Sequence, residues 1–297
     1  MTRTGQLVAA RAAVVASPSL RAEVLNLRGL TNDLTYDAYT PDVQIVVPLE
    51  GAHYLSAGRT EVLVDLNQIG LISADVLTRD RHPSVGDTAC LVITPSRCTL
   101  DEIWHGTGTT PESLAARGFC TRTAPAITQY AASIASYPAR TDLVDPPNAR
   151  EEMLLGVARR AVCDATRPPV RLGGKSLKLV LCVKELLATS PGSLSLTQIA
   201  SRVGASPAYL TDLFRRAEGM PVYRYQLRLR LAMALRRLPE VDDITGLALD
   251  LGFSSHSHFT AVFKSVFGVT PSTYRESTRP VQRRGVAVGS GPLALAS

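Results

Sequence analysis

The sequence predicts a two-domain α+β protein with a β-rich N-terminal half and an all-α C-terminal half. Three observations predict it. Short apolar runs separated by Gly and Pro turns fill residues 23–100, helical periodicity dominates after residue 176, and that second half contains an internal repeat. With 297 residues, the chain is long enough for two separate cores.

Four apolar runs in the N-terminal half predict β-strands. They are Val43–Leu49, Glu61–Leu66, Ile69–Val76 and Ala89–Thr94. The turn signal Pro83–Asp87 precedes the last run and Pro95 follows it, while residues 1–20 show no strong period. Several short strands divided by such turns favour a small sandwich or barrel.

Helical signals follow the strands. Pro125–Ser136 has proline at its first position, and Ala149–Asp164 places its apolar residues on one side. The second helix fits a dimer contact or packing within the chain equally well. Pro and Gly residues predict a linker over 166–175, which divides an N-terminal domain (1–165) from a C-terminal domain (176–278). The tail 279–297 is predicted to be disordered.

The stretch Asp243–Arg275 predicts a helix, a tight turn, a second helix and then a third. Asp243 suits an N-cap, Gly252 suits the turn, and Gly268 ends the second helix. The pattern occurs a second time about 48 residues earlier, where Gly204 and Gly219 correspond to Gly252 and Gly268. Two unequal helix-turn-helix units are therefore predicted.

The earlier unit has its own start signals, and one helix connects the two units. Ser195 with Gln198 forms a capping box, and Ser206 before Pro207 is an N-cap followed by proline at the first helical position. Pro221–Leu238 is predicted to be one longer helix.

Charge is concentrated in the C-terminal half. Residues 171–284 carry 17 basic and 8 acidic side chains, while the rest of the chain carries 15 and 18. This balance favours a polyanion as partner, although a basic surface alone would fit simple solvation equally well. No apolar run approaches the ~18 residues of a membrane span, and the N-terminus has no secretory pattern. The expected location is cytoplasmic.

The cysteines and histidines show no ligand pattern. Five cysteines, an odd number without a C-x-x-C pair, predict buried free thiols rather than disulfides or a zinc site. The five histidines give no metal-binding spacing either. Neither a metal, a cofactor nor an enzymatic activity is therefore expected.

Residues 176–276 resemble the DNA-binding domain of the AraC/XylS family of bacterial transcription regulators. The second unit carries most of the resemblance, and the first unit and the connecting helix agree with it. The matching residues are Ala248, Gly252-Phe253, Ser257-His258-Phe259, Phe263-Lys264, Gly268, Thr270-Pro271, Tyr274-Arg275, Ala200, Ser206, Tyr209-Leu210, Phe214-Arg215, Gly219, Tyr225, Arg228-Leu229 and Ala232. The resemblance implies that each unit places its second helix in the major groove, on one face of the duplex.

The outer faces of these two second helices are the predicted DNA-binding site. Helical spacing gives one set on the first helix and another on the second: Ala208, Thr211, Asp212 and Arg215, then Ser255, His256, Ser257, Thr260, Ala261 and Lys264. Arg215 and Lys264 are expected to contact phosphates. Thr211, Ser257 and Thr260 would meet base edges or a thymine methyl, and His256 can donate or accept.

Three positions in the predicted site are not expected to form simple hydrogen bonds to DNA. Asp212 would accept from a cytosine amino group or pair with Arg215 or Arg216, and pairing is favoured because a carboxylate repels phosphate. Ala208 and Ala261 are small, which gives more weight to apolar contact and DNA shape.

His258, beside Phe259, is expected to pack rather than to bind DNA. No catalytic role is predicted for either helix.

The N-terminal half resembles the cupin-like β-barrel that members of this family often use to bind an effector or to dimerise. The resemblance covers Val85–Pro95. His53, His82 and His105 are scattered, so a metal-binding cupin is not expected. Tyr54, Trp104 and His105 would line an effector pocket or serve as ordinary core residues, and the second role is favoured.

The combined prediction is a homodimeric transcription regulator, an activator by the family's habit. Its expected partners are double-stranded promoter DNA, RNA polymerase and a small-molecule or protein effector. One alternative is a regulator whose N-terminal domain holds a protein partner. Another is a DNA-repair enzyme with an appended DNA-binding domain, which the cysteine spacings do not support.

Overall fold

The structure is a computed structural model. It describes residues 8–29, 34–57, 60–82, 86–107, 120–122, 127, 131, 149–165, 172–190, 192 and 194–279. Most of the predicted linker, most of the predicted helix Pro125–Ser136 and all but the first residue of the predicted tail lie outside these residues. The domain boundaries at residues 165 and 176 therefore remain predictions.

The described part of the N-terminal half contains ten strands in two antiparallel sheets. Six strands form the first sheet in the order β1-β2-β9-β4-β7-β10, and four form the second in the order β3-β8-β5-β6. The strands are β1 Val8–Ala16, β2 Leu20–Gly29, β3 Leu34–Thr40, β4 Gln44–Glu50, β5 His53–Ala57, β6 Thr60–Val64, β7 Gln68–Ile72, β8 Val76–His82, β9 Gly86–Pro95 and β10 Cys120–Arg122.

The first sheet is covered on both faces. One face, with Ile45, Leu91 and Ile93, packs against two helices, α1 Arg97–Thr107 and α2 Ala149–Ala165. The opposite face packs on the second sheet through a separate apolar cluster, Val46, Leu55, Val64, Ile72, Cys90 and Val92. The alternation along β4 and β9 decides which side chain enters which layer.

The two sheets stack face to face, and each keeps two edge strands among the described residues. The closed cupin-like barrel is therefore not confirmed. The β-rich character is confirmed, and the predicted runs correspond to β4, β6, β7 and β9 with shifts of a few residues at their ends.

Two segments differ from the sequence prediction. Residues 8–16, which show no strong period, form a strand, and residues 97–107 form a helix rather than continuing the β-region. Helix α2 buries Leu154, Val157 and Ala158 in the N-terminal core. Packing within the chain thus accounts for its apolar side.

The C-terminal half consists of helices whose ends follow the predicted signals. They are α3 Gly174–Thr189, α4 Leu196–Arg202, α5 Pro207–Glu218, α6 Val222–Arg237, α7 Ile244–Asp250, α8 His256–Phe267 and α9 Pro271–Thr278. Units α4–α5 and α7–α8 are the two helix-turn-helix motifs, with α6 between them. No helix in the described part of the chain is both long and apolar enough to cross a membrane.

Local hydrogen bonds explain why these helices begin and end where they do. The Ser195–Gln198 capping box is present in both directions, and Ser206 Oγ accepts from the Tyr209 amide. The turns of the two units use Gly204 and Gly252 at φ +67° and +77°, a left-handed conformation that other residues adopt at a cost. The repeat is thus a repeat of backbone geometry.

Candidate nucleic-acid interface

Helix α5 buries one side and leaves the other open. Leu210, Leu213 and Phe214 lie in the core. The predicted outer face carries Ala208, Asp212 and Arg215 in exposed positions and Thr211 half-buried, which places all four on the side away from the core.

Helix α8 has the same division in the second unit. Phe259 and Phe263 are fully buried. The predicted contact residues lie at the N-terminal end and along the outer face: Ser255, His256, Ser257, Ala261 and Lys264 are exposed, and Thr260 is half-buried.

The two basic residues expected to contact phosphate are available for it. Arg215 and Lys264 are exposed and form no ion pair with a described residue. Asp212 instead pairs with Arg216 at 3.0 Å, one helical turn away. The pairing favoured from the sequence is thus observed, and it leaves Arg215 as the open cation of α5.

The two threonines of the outer faces are not equivalent. Thr211 is half-buried, but its Oγ1 donates to the Pro207 carbonyl at 2.8 Å in an exposed hydrogen bond. Thr260 Oγ1 is buried and has no hydrogen-bond partner among the described residues. Of the two roles predicted for Thr260, this burial favours contact of its carbon atoms with a thymine methyl over a base-edge hydrogen bond.

The serine and histidine cluster at the start of α8 has a structural part and an open part. Ser255 is the N-cap, because its Oγ accepts from the His258 amide at 3.1 Å. His258 Nδ1 lies 2.9 Å from Ser254 Oγ, and its ring packs edge-on against Phe253. His256 and Ser257 remain open. His258 is also exposed, but its contacts with Phe253 and Ser254 agree with the packing role predicted for it.

A buried arginine on α6, which sequence reasoning missed, contacts the second unit. Arg230 Nη1 donates to the Gly252 carbonyl at 3.1 Å, and Nη2 donates to Gln226 Oε1 at 2.8 Å. Gln226 Nε2 in turn approaches the Gly192 carbonyl, which precedes α4, at 3.4 Å. This chain of contacts runs from the start of the first unit to the turn of the second. The i, i+4 spacing of Gln226 and Arg230 was its only local signal.

The N-terminal domain contains a cavity of about 140 Å³ between its two sheets. Its walls include apolar residues from the first sheet and polar residues from the second, among them His53, Asp80 and His82. The His53 and His82 rings stack with centroids 5.7 Å apart. They meet because β5 and β8 pair with Tyr54 opposite Arg81, a register that the separation in sequence did not reveal.

Burial controls the charges of this cavity. It lowers the pKa of His53 to about 3, with a further contribution from His82, and raises the pKa of Asp80 to about 7. His53 Nε2 lies 4.0 Å from Asp80 Oδ1. Because the imidazole is neutral near neutral pH, this contact is not an ion pair there. The described residues contain no group of three or more His, Cys, Asp or Glu side chains arranged to hold a metal.

The residues first considered for an effector pocket lie elsewhere. Tyr54 is buried against α3 and Trp104 packs on the N-terminal core, while His105 is exposed.

Among the four cysteines whose side chains the structure describes, Cys90 is buried as predicted, whereas Cys98, Cys163 and Cys182 are exposed. None of these four forms a disulfide with another described cysteine, and burial raises the pKa of Cys90 to about 12.

Helix α6 joins two helix-turn-helix units, and the second helix of each unit exposes its outer face. This is the arrangement of a DNA-binding protein. The model of a helix-turn-helix domain matches residues 199–277. The chain is 35% identical to the probable transcription factor PqrA of Proteus vulgaris over 28% of its own length and 70% of PqrA. It is 33% identical to the transcriptional activator AarP of Providencia stuartii over 32% of its length and 74% of AarP.

The chain therefore belongs to the AraC/XylS family of bacterial transcription regulators. Longer relatives are matched over a smaller share of their own length. The regulatory protein PocR of Salmonella typhimurium is 37% identical, but the match spans only 28% of each chain.

The solved structures found by comparison superpose on this chain with low TM-scores. An AraC-type DNA-binding domain from Chromobacterium violaceum is 30% identical over 38% of this chain and all of its own, with a TM-score of 0.33. ToxT of Vibrio cholerae is 14% identical over 87% of this chain and 98% of its own, with a TM-score of 0.35. The family assignment accordingly rests on the sequence matches.

Proposed function

We propose that this protein is a cytoplasmic, sequence-specific transcription activator that inserts α5 and α8 into the major groove of promoter DNA. The observation that carries the proposal is the pair of outer faces, each with one exposed cation at the corresponding place, Arg215 and Lys264. Such cations supply affinity that depends on salt, while the neighbouring short side chains supply sequence preference.

The N-terminal domain would act as the sensory or dimerisation part of a homodimer. This is the role that the cupin-like barrel has in the family, although the two sheets here are open. At about 140 Å³ the cavity between the sheets would suit only a very small effector, which its apolar wall, His53 and Asp80 could hold. This observation favours a small molecule over a protein partner. Contact with RNA polymerase would follow from activation.

The test is selection of duplexes from a randomised pool by the full chain, followed by binding measurements over a range of salt. An enriched motif supports the proposal, and enrichment of no motif contradicts it.

Arg215→Ala and Lys264→Ala form a matched pair for the same assay. Each should weaken binding to all sequences alike and reduce the slope of log K against log salt by roughly one. A change in preferred sequence caused by Arg215→Ala would contradict its assignment as a phosphate contact.

A further inference from the structure

The turn that joins β6 to β7 is buried in the C-terminal domain. Asp65, Leu66 and Asn67 are only 0%, 4% and 5% exposed, although turns between strands normally lie on the surface. Leu66 belongs to the core of the first helix-turn-helix unit, with Val183, Phe214 and others, and not to any of the three N-terminal clusters. A residue of the N-terminal domain thus completes the core of the first unit.

Hydrogen bonds fix this turn, and the strand β6 that leads into it, to two helices of the C-terminal domain. Tyr225 on α6 donates its hydroxyl to Asp65 Oδ2 at 2.5 Å, and Asn67 Nδ2 donates to the Tyr225 carbonyl at 3.1 Å. Lys184 on α3 donates to the Leu63 carbonyl at 3.1 Å. The contact is therefore specific in position and direction.

Two buried carboxyl groups face one buried lysine at this contact. Lys184 lies 3.7 Å from Glu218 on α5, and Asp65 adds a second buried carboxyl beside the same lysine. Burial raises the pKa of Asp65 in spite of Lys184 and of the Tyr225 hydrogen bond. A buried carboxyl such as Asp65 adds little net stability to the docked contact, because undocking returns it to water. The arrangement suits a contact that forms and breaks.

The second unit has no such dependence among the described residues. Its core runs from Leu231 to Tyr274 and contains no residue of the N-terminal domain. The outer face of α5 stays exposed while the turn is docked, as Ala208 and Arg215 show. The contact consequently leaves the predicted reading surface open.

We propose that the N-terminal domain controls DNA binding by inserting the Asp65–Asn67 turn into the core of the first helix-turn-helix unit. With the turn docked, α3, α4 and α5 are held in their DNA-binding arrangement. When it leaves, this unit loosens while α7 and α8 keep their structure. The inference rests on the proposed function, because it assigns the route by which the N-terminal domain regulates the DNA-binding domain.

The experiment compares the full chain with Leu66→Asp by hydrogen exchange in the absence of DNA. A carboxylate at position 66 is tolerated only when the turn is undocked, since docking would bury an unpaired charge. Leu77→Asp is the matched control, because Leu77 is 61% exposed on β8. Amides of residues 174–218 should exchange at least about tenfold faster in Leu66→Asp, while those of 244–274 and of β4 and β9 stay unchanged.

Equal acceleration in both units, no acceleration, or loss of protection in β4 and β9 would each overturn the inference. Leu66→Ala provides a milder variant, for which the same pattern should appear with a smaller change.

DNA binding separates this inference from the proposed function. On a selected site, Leu66→Asp should bind at least about tenfold more weakly than Leu77→Asp, with protection lost over the segment read by α5. If the wild-type chain selects no motif, the proposed function fails, whereas the exchange pattern still decides whether the turn supports the first unit. Unchanged binding together with faster exchange would refute the regulatory role of the turn.

Discussion

The two helix-turn-helix units share a backbone plan but differ in how their cores are completed. The first unit packs around Phe214 and Tyr225 and includes Leu66 from the N-terminal domain. The second packs around Phe259 and Phe263 within its own residues. The difference shows that repeated motifs in one chain can have separate sources of stability, one shared between domains and one local.

The largest effect should come from removing a matched core ring in each unit. Phe214→Ala and Phe263→Ala each remove a fully buried phenyl group and should cost about 3–5 kcal/mol of unfolding free energy. Phe214 packs edge-on against Tyr225, so its loss should also speed hydrogen exchange at 65–67. Phe263→Ala should leave exchange at 65–67 unchanged, and equal acceleration there in both variants would remove the distinction between the units.

A smaller effect is expected at the link between the units. Arg230→Met deletes the hydrogen bonds to Gly252 and Gln226 and should lower the unfolding free energy by about 1.5–3 kcal/mol, because hydrogen bonds to charged groups are worth this much. Arg224→Met on the same helix is the control, since Arg224 is exposed. Urea unfolding measures both, and equal midpoints would show that Arg230 does not hold the second unit.

The two threonines distinguish the reading surfaces of the units. Thr211→Val removes an accessible hydroxyl and should alter base preference by about 1–3 kcal/mol at one position. Thr260→Val removes a hydroxyl that is already buried and should leave base preference unchanged, with stability equal or slightly higher. Selection from randomised duplexes checks both, and a shift in preference caused by Thr260→Val would show that α8 rearranges on DNA.

The shared core should respond to pH through Asp65. Burial raises the pKa of its carboxyl above the ordinary value of 3.8, so at pH values between the two the folded protein binds more protons at this group than the unfolded chain. Stability from this group is complete below that ordinary value and is lost as pH rises through the raised pKa. The unfolding free energy of Asp65→Asn minus that of wild type should therefore grow with pH, by at most about 1.4 kcal/mol per unit.

Lys184, Glu218 and Tyr225 face Asp65 from α3, α5 and α6 and are present in both proteins, so the difference isolates its titration. Urea unfolding between pH 4 and 8 provides the measurement. A difference that does not change with pH would mean that Asp65 is ionised in the folded protein.

The sequence predicted the C-terminal half well because its signals are local. The pairs Ser195–Gln198 and Ser206–Tyr209 act over three residues, so the capping bonds follow from the sequence itself. The N-terminal half was predicted less well because strand pairing is not local. Only the register of β5 and β8 brings His53 beside His82.

The contact between the domains could not be predicted for the same reason. Asp65 and Tyr225 are 160 positions apart, and Leu66 was assigned to the end of a strand because it is the last residue of the predicted run Glu61–Leu66. Its burial depends on the other domain. Similarly, the outward spacing of Thr260 was correct, but only its rotamer decides whether the hydroxyl faces DNA.

Footprinting of the full chain on a selected duplex tests most directly that both units bind DNA. Two helices in successive major grooves should protect two segments on one face, separated by about one helical turn or ~10 base pairs. Arg215→Ala should weaken protection of one segment and Lys264→Ala that of the other. A single protected segment that both substitutions affect alike would contradict the assignment of two DNA-binding units.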